Sequence, residues 1–370
     1  MISRLEIENF AAFRELKLDF SPRINVIIGE NSCGKTQLLK AIYALTSTTE
    51  DINQRLIRLF KPRKSRLSSL YCNGGDGVAR ISVGDASGNS TSIEFKQRSK
   101  KILSAPVFQD DNGILIPSKE LLSLLPAIHD QIVNDDVLSA LFDDSVIDLC
   151  NKLLEEPKKE TQKLINSDPR LASIVPMLVE AINGKFILDG ADHYFSGGTY
   201  KEKTDSKVSS SKHAQIYRDN TFLDFEKAKG SEASVTMTAE GYRKIGLLQR
   251  LIENGSLGQG QASVLLWDEP ESNMNPSLIK MLVQCILELS RNGQQIIIAT
   301  HHYVLLKWFD LLMDKDQSDH ITYHALYRNE EGIIANESHD DYKMLAANAI
   351  AKTYSDLYDA EIERSLGGAK

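Results

Sequence analysis

Apolar and polar positions change rhythm several times along the chain, and each change marks an element. Leu5 and Ile7 alternate with Glu6 and Glu8, and Leu16, Leu18 and Phe20 alternate with Lys17 and Asp19. A period of two with one polar face predicts a half-buried antiparallel pair. The apolar run Ile24-Asn25-Val26-Ile27-Ile28 predicts a buried strand. Beyond it, Leu38, Ile42 and Leu45 recur at helical spacing. Between about residues 50 and 105, the clusters Asn73-Gly74-Gly75-Asp76-Gly77 and Gly84-Asp85-Ala86-Ser87-Gly88-Asn89 are turns separating short β-like runs. From Glu120 to about Asn183 the pattern becomes helical and acidic, with Asp135, Asp136, Asp143, Asp144, Glu155 and Glu156. The stretch from Ser196 to His213 is rich in Ser, Lys and Gly and predicts a loop.

Regular periodicity returns from Val235. Ile245, Leu248 and Ile252 predict a helix, and Val264-Leu265-Leu266-Trp267 a short buried strand. Asn275-Pro276 has the form of an N-cap followed by proline in the first turn. Leu278, Leu282, Cys285 and Leu289 continue that helix, and Gly293 is a suitable stop. Gln295-Ile296-Ile297-Ile298-Ala299 predicts a further buried strand. Strand, helix, strand at this spacing favours a parallel sheet under helical cover, so the fold class is α/β. The stretch from about Tyr342 to Leu366 has a helical pattern.

Composition narrows the picture without changing it. The 370 residues are 25% charged and 42% apolar, ordinary for a globular protein with ample length for a core. No apolar run reaches the roughly 18 residues of a membrane span, and the first residues lack a secretory pattern. Cys33, Cys72, Cys150 and Cys285 are scattered, with no Cys-x-x-Cys pair, which points away from zinc and disulfides and toward a reducing cytoplasm. A net charge of −8 argues against broad nucleic-acid coating but leaves room for a local patch such as Lys61-Pro62-Arg63-Lys64-Ser65-Arg66, which DNA or plain solvent can face.

The chemistry-bearing segment is Gly29-Glu30-Asn31-Ser32-Cys33-Gly34-Lys35-Thr36, between the buried run and the first helix. Glycines let the backbone curl so that N–H groups face phosphate oxygens, and the helix that follows adds its positive end. Lys35, expected to face solvent in the loop, would then reach the β- and γ-phosphates of ATP, and the Thr36 hydroxyl would ligate Mg²⁺. Asp268-Glu269 ends the buried run at Trp267. There Asp268 can hold Mg²⁺ through water, and Glu269 can act as general base or orient the attacking water. Thr300-His301 ends the next buried strand, where His301 can contact the γ-phosphate; His302 beside it leaves that choice open.

The N-terminal pattern Ile2-x-x-Leu5-x-Ile7-x-Asn9-Phe10, the segment Ile24 to Asn31, Asp268-Glu269-Pro270-Glu271 and Ala299-Thr300-His301 together resemble the head of SMC, RecF and OLD ATPases of the ABC type. More narrowly, the chain resembles standalone AAA ATP-binding proteins of bacterial anti-phage defence loci, related to the Septu, PARIS and retron ATPases. The resemblance implies an ABC-type phosphate-loop head with N-terminal antiparallel strands, a mostly parallel core sheet and a helical insertion. It divides the chain into an N-terminal lobe over 1–118, an acidic helical insertion over 119–185 and a C-terminal lobe over 186–370. It also implies a signature segment opening a helix before Asp268. Met237-Thr238-Ala239-Glu240-Gly241-Tyr242-Arg243-Lys244 stands in that place, departing from Leu-Ser-Gly-Gly-Gln but keeping a hydroxyl at Thr238 and a glycine at Gly241. The implied function is ATP hydrolysis in a homodimer or higher oligomer that closes on ATP and regulates a separate effector protein or a DNA transaction. Two other readings stay open: a transporter's nucleotide-binding subunit, and a non-hydrolysing nucleotide sensor or scaffold. The OLD nucleases carry a further domain; here Asp314-Lys315-Asp316 has the spacing of an acidic pair but reads as a loop.

Overall fold

The computed structural model describes residues 1–46, 51–99, 101–103, 113–130, 135–156, 169–189, 192–203, 216–218, 221–258 and 264–366. The chain divides into two units, the first comprising Met1–Leu115, Leu266–Glu271 and Gln295–Lys370, the second Ile116–Leu265 and Ser272–Gln294.

The first unit begins with β1 (Ile2–Phe10) and β2 (Phe13–Asp19), paired antiparallel from Arg4↔Asp19 to Phe10↔Phe13. Their inward residues are the Leu and Ile of the alternating pattern. The chain then forms β3 (Ile24–Gly29), α1 (Lys35–Thr46) and α2 (Ile52–Phe60). Asp51 caps α2 by accepting from the N–H groups of Asn53 and Gln54. The turn clusters separate β4 (Val78–Asp85) from β5 (Ser90–Lys96), and these complete a four-stranded sheet in the order β2-β1-β4-β5. The short strand β6 (Ile114–Ile116) follows.

In the second unit, the predicted helical block contains α3 (Leu125–His129), α4 (Asp135–Leu141), α5 (Asp144–Leu154) and α6 (Pro169–Ile182). Next come β7 (Gly184–Asp189), β8 (Asp192–Lys203), β9 (Ile216–Arg218) and β10 (Thr221–Ser234), in the sheet order β7-β8-β10-β9. One expectation is corrected here: residues 196–203 of the predicted loop continue strand β8. Pairing with β10 holds them there, joined by β7 at Ser196 and Gly197, and Gly197 admits the close approach of Ser231. Residues 204–213 of that stretch lie outside the described residues. The helix α7 (Glu240–Glu253) packs its buried stripe, Ile245, Leu248 and Ile252, inside this unit. A Cβ on Gly246 would stand 2.1 Å from the Phe186 ring, so only glycine lets β7 lie this close.

The strand β11 (Leu265–Asp268) leads to α8 (Pro276–Arg291), capped as expected by the Asn275 side chain with Pro276 in the first turn. Gly293, at φ +99°, follows its end. Then come β12 (Ile296–Ala299), α9 (Tyr303–Leu312), β13 (Ile321–Arg328), β14 (Ile334–His339) and α10 (Ala349–Ser365). The third sheet runs β14-β13-β3-β12-β11-β6. β3 lies parallel to β12 (Ile24↔Ile296 to Ile27↔Ala299) and parallel to β13 (Ile24↔Ile321 to Gly29↔Leu326), while β13 and β14 are antiparallel. Every residue of β3 is buried, and each aliphatic side chain so placed contributes about 1.5–3 kcal/mol. Its polar member, Asn25, accepts from Ser21 N (2.8 Å) and donates to Ser21 O (2.9 Å). The buried amide therefore costs little, and it fixes the turn that feeds the strand. Gln295 likewise accepts from Ile2 N and donates to Ile2 O and Ser21 O, joining the start of β1 to that of β12. The three parallel strands thus begin in common register, and the loops at their C-terminal ends come together, where open α/β sheets hold ligands.

Candidate active site at the strand ends

The loop from Gly29 to Thr36 takes its shape from its floor. Gly29 has φ +152°, and a Cβ there would lie 2.3 Å from the backbone oxygen of Leu326 on β13. At the other end Gly34 has φ +85°, and its missing side chain leaves room for the Phe13 ring, 2.6 Å from where a Cβ would stand. Ser32, at φ +66°, completes the curl. Asn31, Ser32 and Thr36 are exposed, and Cys33 is buried. The Arg328 guanidinium donates to the Ser32 carbonyl (3.1 Å), tying the end of β13 to the loop's crest.

Lys35 departs from expectation. It is the first residue of α1 and only 7% exposed, and its Nζ donates to Gly29 O (2.8 Å) and Glu30 O (3.0 Å). The side chain folds back under its own loop because two carbonyls there turn inward. Burial pulls the ammonium pKa down, opposed by Glu269, Cys33, Asp268 and Glu271. A poorly hydrated ammonium beside a curled backbone is a strong partner for phosphate oxygens.

The Thr36 hydroxyl donates to Asp268 Oδ2 at 2.8 Å. Burial raises the Asp268 pKa, with the Thr36 hydrogen bond working against it. These are hard oxygen donors held together, the donor class that Mg²⁺ takes, so the pair fits that ion. Glu269 follows in the left-handed region (φ +47°), and its N–H donates to Ala299 O at 2.8 Å. For a non-glycine residue that conformation costs about 1–2 kcal/mol. His301 Nδ1 lies 3.0 Å from Glu269 Oε1. Of the two adjacent histidines it is therefore His301 whose ring meets Glu269. His302 contributes its N–H to Thr300 Oγ1 (3.0 Å), and burial lowers its ring pKa.

Lys35, Thr36, Asp268, Glu269 and His301 all belong to the first unit, as do Asn31, Ser32, Cys33 and Gly34. Thr238 and Gly241 belong to the second. Thr238 precedes α7, whose N-cap is Ala239, and its hydroxyl donates to Val235 O at 2.6 Å. Gly241 lies in the first turn of α7, where a Cβ would meet Asn273 O at 3.2 Å. Asp314 caps a short 3-10 turn at Lys315–Gln317, accepting from Asp316 N. Two polar residues stood in the quoted motifs without a role of their own: Glu271, buried three residues beyond Asp268, and Thr300, whose hydroxyl donates to Glu271 Oε1 at 2.6 Å.

Residues 24–307 match the family described as "AAA domain, putative AbiEii toxin, Type IV TA system". The chain belongs to this AAA family. A 47-residue segment of the AAA chain is 49% identical to the DNA replication and repair protein RecF of Lactobacillus gasseri, covering 13% of this chain and 13% of that protein. The RecF protein of Lactococcus lactis subsp. lactis is 45% identical over 47 residues with the same coverage. The AAA chain thus matches about 13% of the length of these curated relatives. The crystal structure of an SmcHead bound to the C-winged helix domain of ScpA aligns with 92% of the AAA chain and 97% of its own, with a TM-score of 0.51 and 13% identity. The fold of this AAA protein is that of an SMC/RecF-type ABC ATPase head, with an antiparallel N-terminal sheet and a mostly parallel core sheet. Among the described residues no helix is long and apolar enough to cross a membrane.

Proposed function

We propose that this AAA protein binds and hydrolyses ATP at the strand ends of the first unit. The observation that carries the reading is the convergence of a phosphate loop, the Thr36–Asp268 pair at 2.8 Å and the Glu269–His301 pair at 3.0 Å on adjacent strand ends. Backbone N–H groups of residues 31–36 receive the β- and γ-phosphates, and Lys35 exchanges its two carbonyl partners for phosphate oxygens. Thr36 and Asp268 would hold Mg²⁺, which when bound supplies positive charge to the phosphate oxygens. Glu269 accepts the proton of the attacking water or orients it, and His301 fixes the Glu269 carboxyl and faces the γ-phosphate. The test is Glu269→Gln: it retains ATP binding and loses turnover by roughly 100- to 10,000-fold, the worth of a general base. Hydrolysis at the parent rate by this variant would place the base elsewhere.

The wider role extends the same reading. ATP binding closes two copies of the chain, the Thr238–Gly241 segment of one meeting the nucleotide of the other. The closed dimer then controls a separate effector protein or a DNA transaction, in a cytoplasmic setting and in defence against phage. The resemblance of the motifs to defence-locus ATPases supports this, and the SmcHead neighbour, itself bound to a winged-helix domain, offers a precedent for a protein partner.

A further inference from the structure

Glu269 is held in a strained conformation, and something must hold it. Its turn and the end of β12 are stitched together twice. On one side Glu269 N donates to Ala299 O at 2.8 Å. On the other, Thr300 Oγ1 donates to Glu271 Oε1 at 2.6 Å. The Glu269–His301 pair belongs to the same two segments: Glu269 itself makes the first bond, and His301 directly follows Thr300, which makes the second. Thr300 is fully buried, its N–H donates to Ile27 O on β3 (3.0 Å), and its hydroxyl oxygen also accepts from His302 N (3.0 Å). The residues on either side of His301 are therefore pinned to one hydroxyl, and that hydroxyl is pinned to Glu271.

Glu271 is only 4% exposed, and its second oxygen, Oε2, has no hydrogen-bond partner among the described residues. A buried carboxyl with one satisfied oxygen is a costly choice for a packing role that an apolar residue would fill better. Burial pushes its pKa up, the Thr300 bond pulling the other way, which favours the neutral acid. As an acid it can accept from Thr300 through its carbonyl oxygen without adding a charge beside Glu269.

We propose that Glu271 and Thr300 form a positioning clasp that holds the Glu269 turn and the Thr300–His302 turn in register, so that His301 Nδ1 meets the Glu269 carboxyl. Neither residue touches the nucleotide. The inference rests on the hydrolysis reading above.

The experiment compares Glu271→Ala, Glu271→Gln, Thr300→Val and Glu271→Ala/Thr300→Val in steady-state ATPase assays, with binding of a fluorescent ATP analogue and the NMR chemical shifts of the His301 ring as companion readouts. Glu271→Ala and Thr300→Val each lower kcat about tenfold or more, leave the ATP KM and analogue affinity within about threefold, and move the His301 ring signals. The double variant is no worse than either single one, because they break one contact. Glu271→Gln, isosteric with the neutral acid, recovers most of the kcat and the parental His301 ring signals. An active parent with unchanged kcat in Glu271→Ala overturns the clasp and leaves the hydrolysis reading standing. So does a Glu271→Gln as impaired as Glu271→Ala, or additive losses in the double variant. A parent without turnover that Glu269→Gln removes refutes the hydrolysis reading and the clasp with it. Should Glu271→Ala fail to fold, Glu271→Gln and Thr300→Val decide the matter by the same criteria.

Discussion

Acid should loosen this fold through one histidine, and the structure gives the size of the effect. His324 sits on β13 beside the phosphate-loop strand, with Nδ1 2.7 Å from Ser338 Oγ and Nε2 3.4 Å from Asn25 Oδ1. Asn25 Oδ1 can only accept, so Nε2 carries the proton and Nδ1 accepts from the Ser338 hydroxyl. Burial lowers the ring's pKa from 6.5 to about 4, and the opposing pull of Asp19 and Asp340 is smaller. The folded state therefore holds His324 neutral where the unfolded chain protonates it. Because the folded pKa is the depressed one, the unfolded state binds more protons between pH 6.5 and 4, and stability falls as pH falls. Linkage gives a loss of about 2 kcal/mol between pH 7 and 5 and about 3 kcal/mol by pH 4. Other groups titrate in this window, some with the opposite sign, such as Asp268 and Glu271, whose pKa values are raised. The measurement is thus a difference: urea unfolding of the parent and of His324→Gln at pH 7, 6, 5 and 4. The variant is the less stable at pH 7, and its deficit shrinks by about 2 kcal/mol by pH 5. A stability difference that stays constant over this range would show that the ring is not held neutral by burial, and the account of β13 would be wrong.

Gly29→Ala should lower the melting temperature and abolish binding of a fluorescent ATP analogue, since the new methyl meets a backbone oxygen at 2.3 Å and φ +152° is unfavourable to it; strain of this kind costs about 1–3 kcal/mol, and parental binding would refute the described floor. Lys35→Ala should weaken analogue binding by roughly 10- to 150-fold, the worth of one charge-assisted contact. It should also lower the melting temperature, because the Nζ braces two loop carbonyls; a variant that binds normally would remove Lys35 from the phosphate site. Thr238→Arg, built in a Glu269→Gln background, should bind ATP like its parent and fail to associate further in sedimentation. Association equal to the parent's would take Thr238 out of the proposed interface.

Much of the loop between β3 and α1, and of its flanking strands, was legible because the backbone forces the residues. The curl of the loop needs Gly29 and Gly34, and a strand buried on both faces needs the mostly apolar runs at residues 24–28 and 295–299. The burial of Lys35 was not legible, since only the inward turn of two carbonyls decides which way that side chain folds. Nor was Glu271, whose sequence context, Asp-Glu-Pro-Glu, makes three acids look equally solvated. Strand β8 was misread from residue 196 onward because Ser-Gly-Gly breaks the alternation of apolar and polar positions; pairing with β7 and β10, not side-chain burial, makes it a strand. The helix α2 carried its own signal, Asp51 as cap and Ile52, Leu56 and Leu59 on one face, but neighbouring glycine turns masked it.

The floor beneath Gly29 has a consequence for how the protein comes into being. β3 leaves the ribosome early, yet both strands that flank it, β12 and β13, are translated about 270 or more residues later. At about 5–20 residues per second, the nascent phosphate loop waits on the order of a quarter of a minute to a minute before Leu326 arrives to shape it. During that interval β3 is a largely apolar strand whose two partner strands have yet to be made, the kind of segment that chaperones shield. ATP cannot help the early chain fold, because the surface that would recognise it does not yet exist. On the proposed function, nucleotide capture is therefore among the last properties the growing polypeptide acquires, and a ribosome stalled before β13 would carry a chain in which β3 still lacks one of its two neighbours.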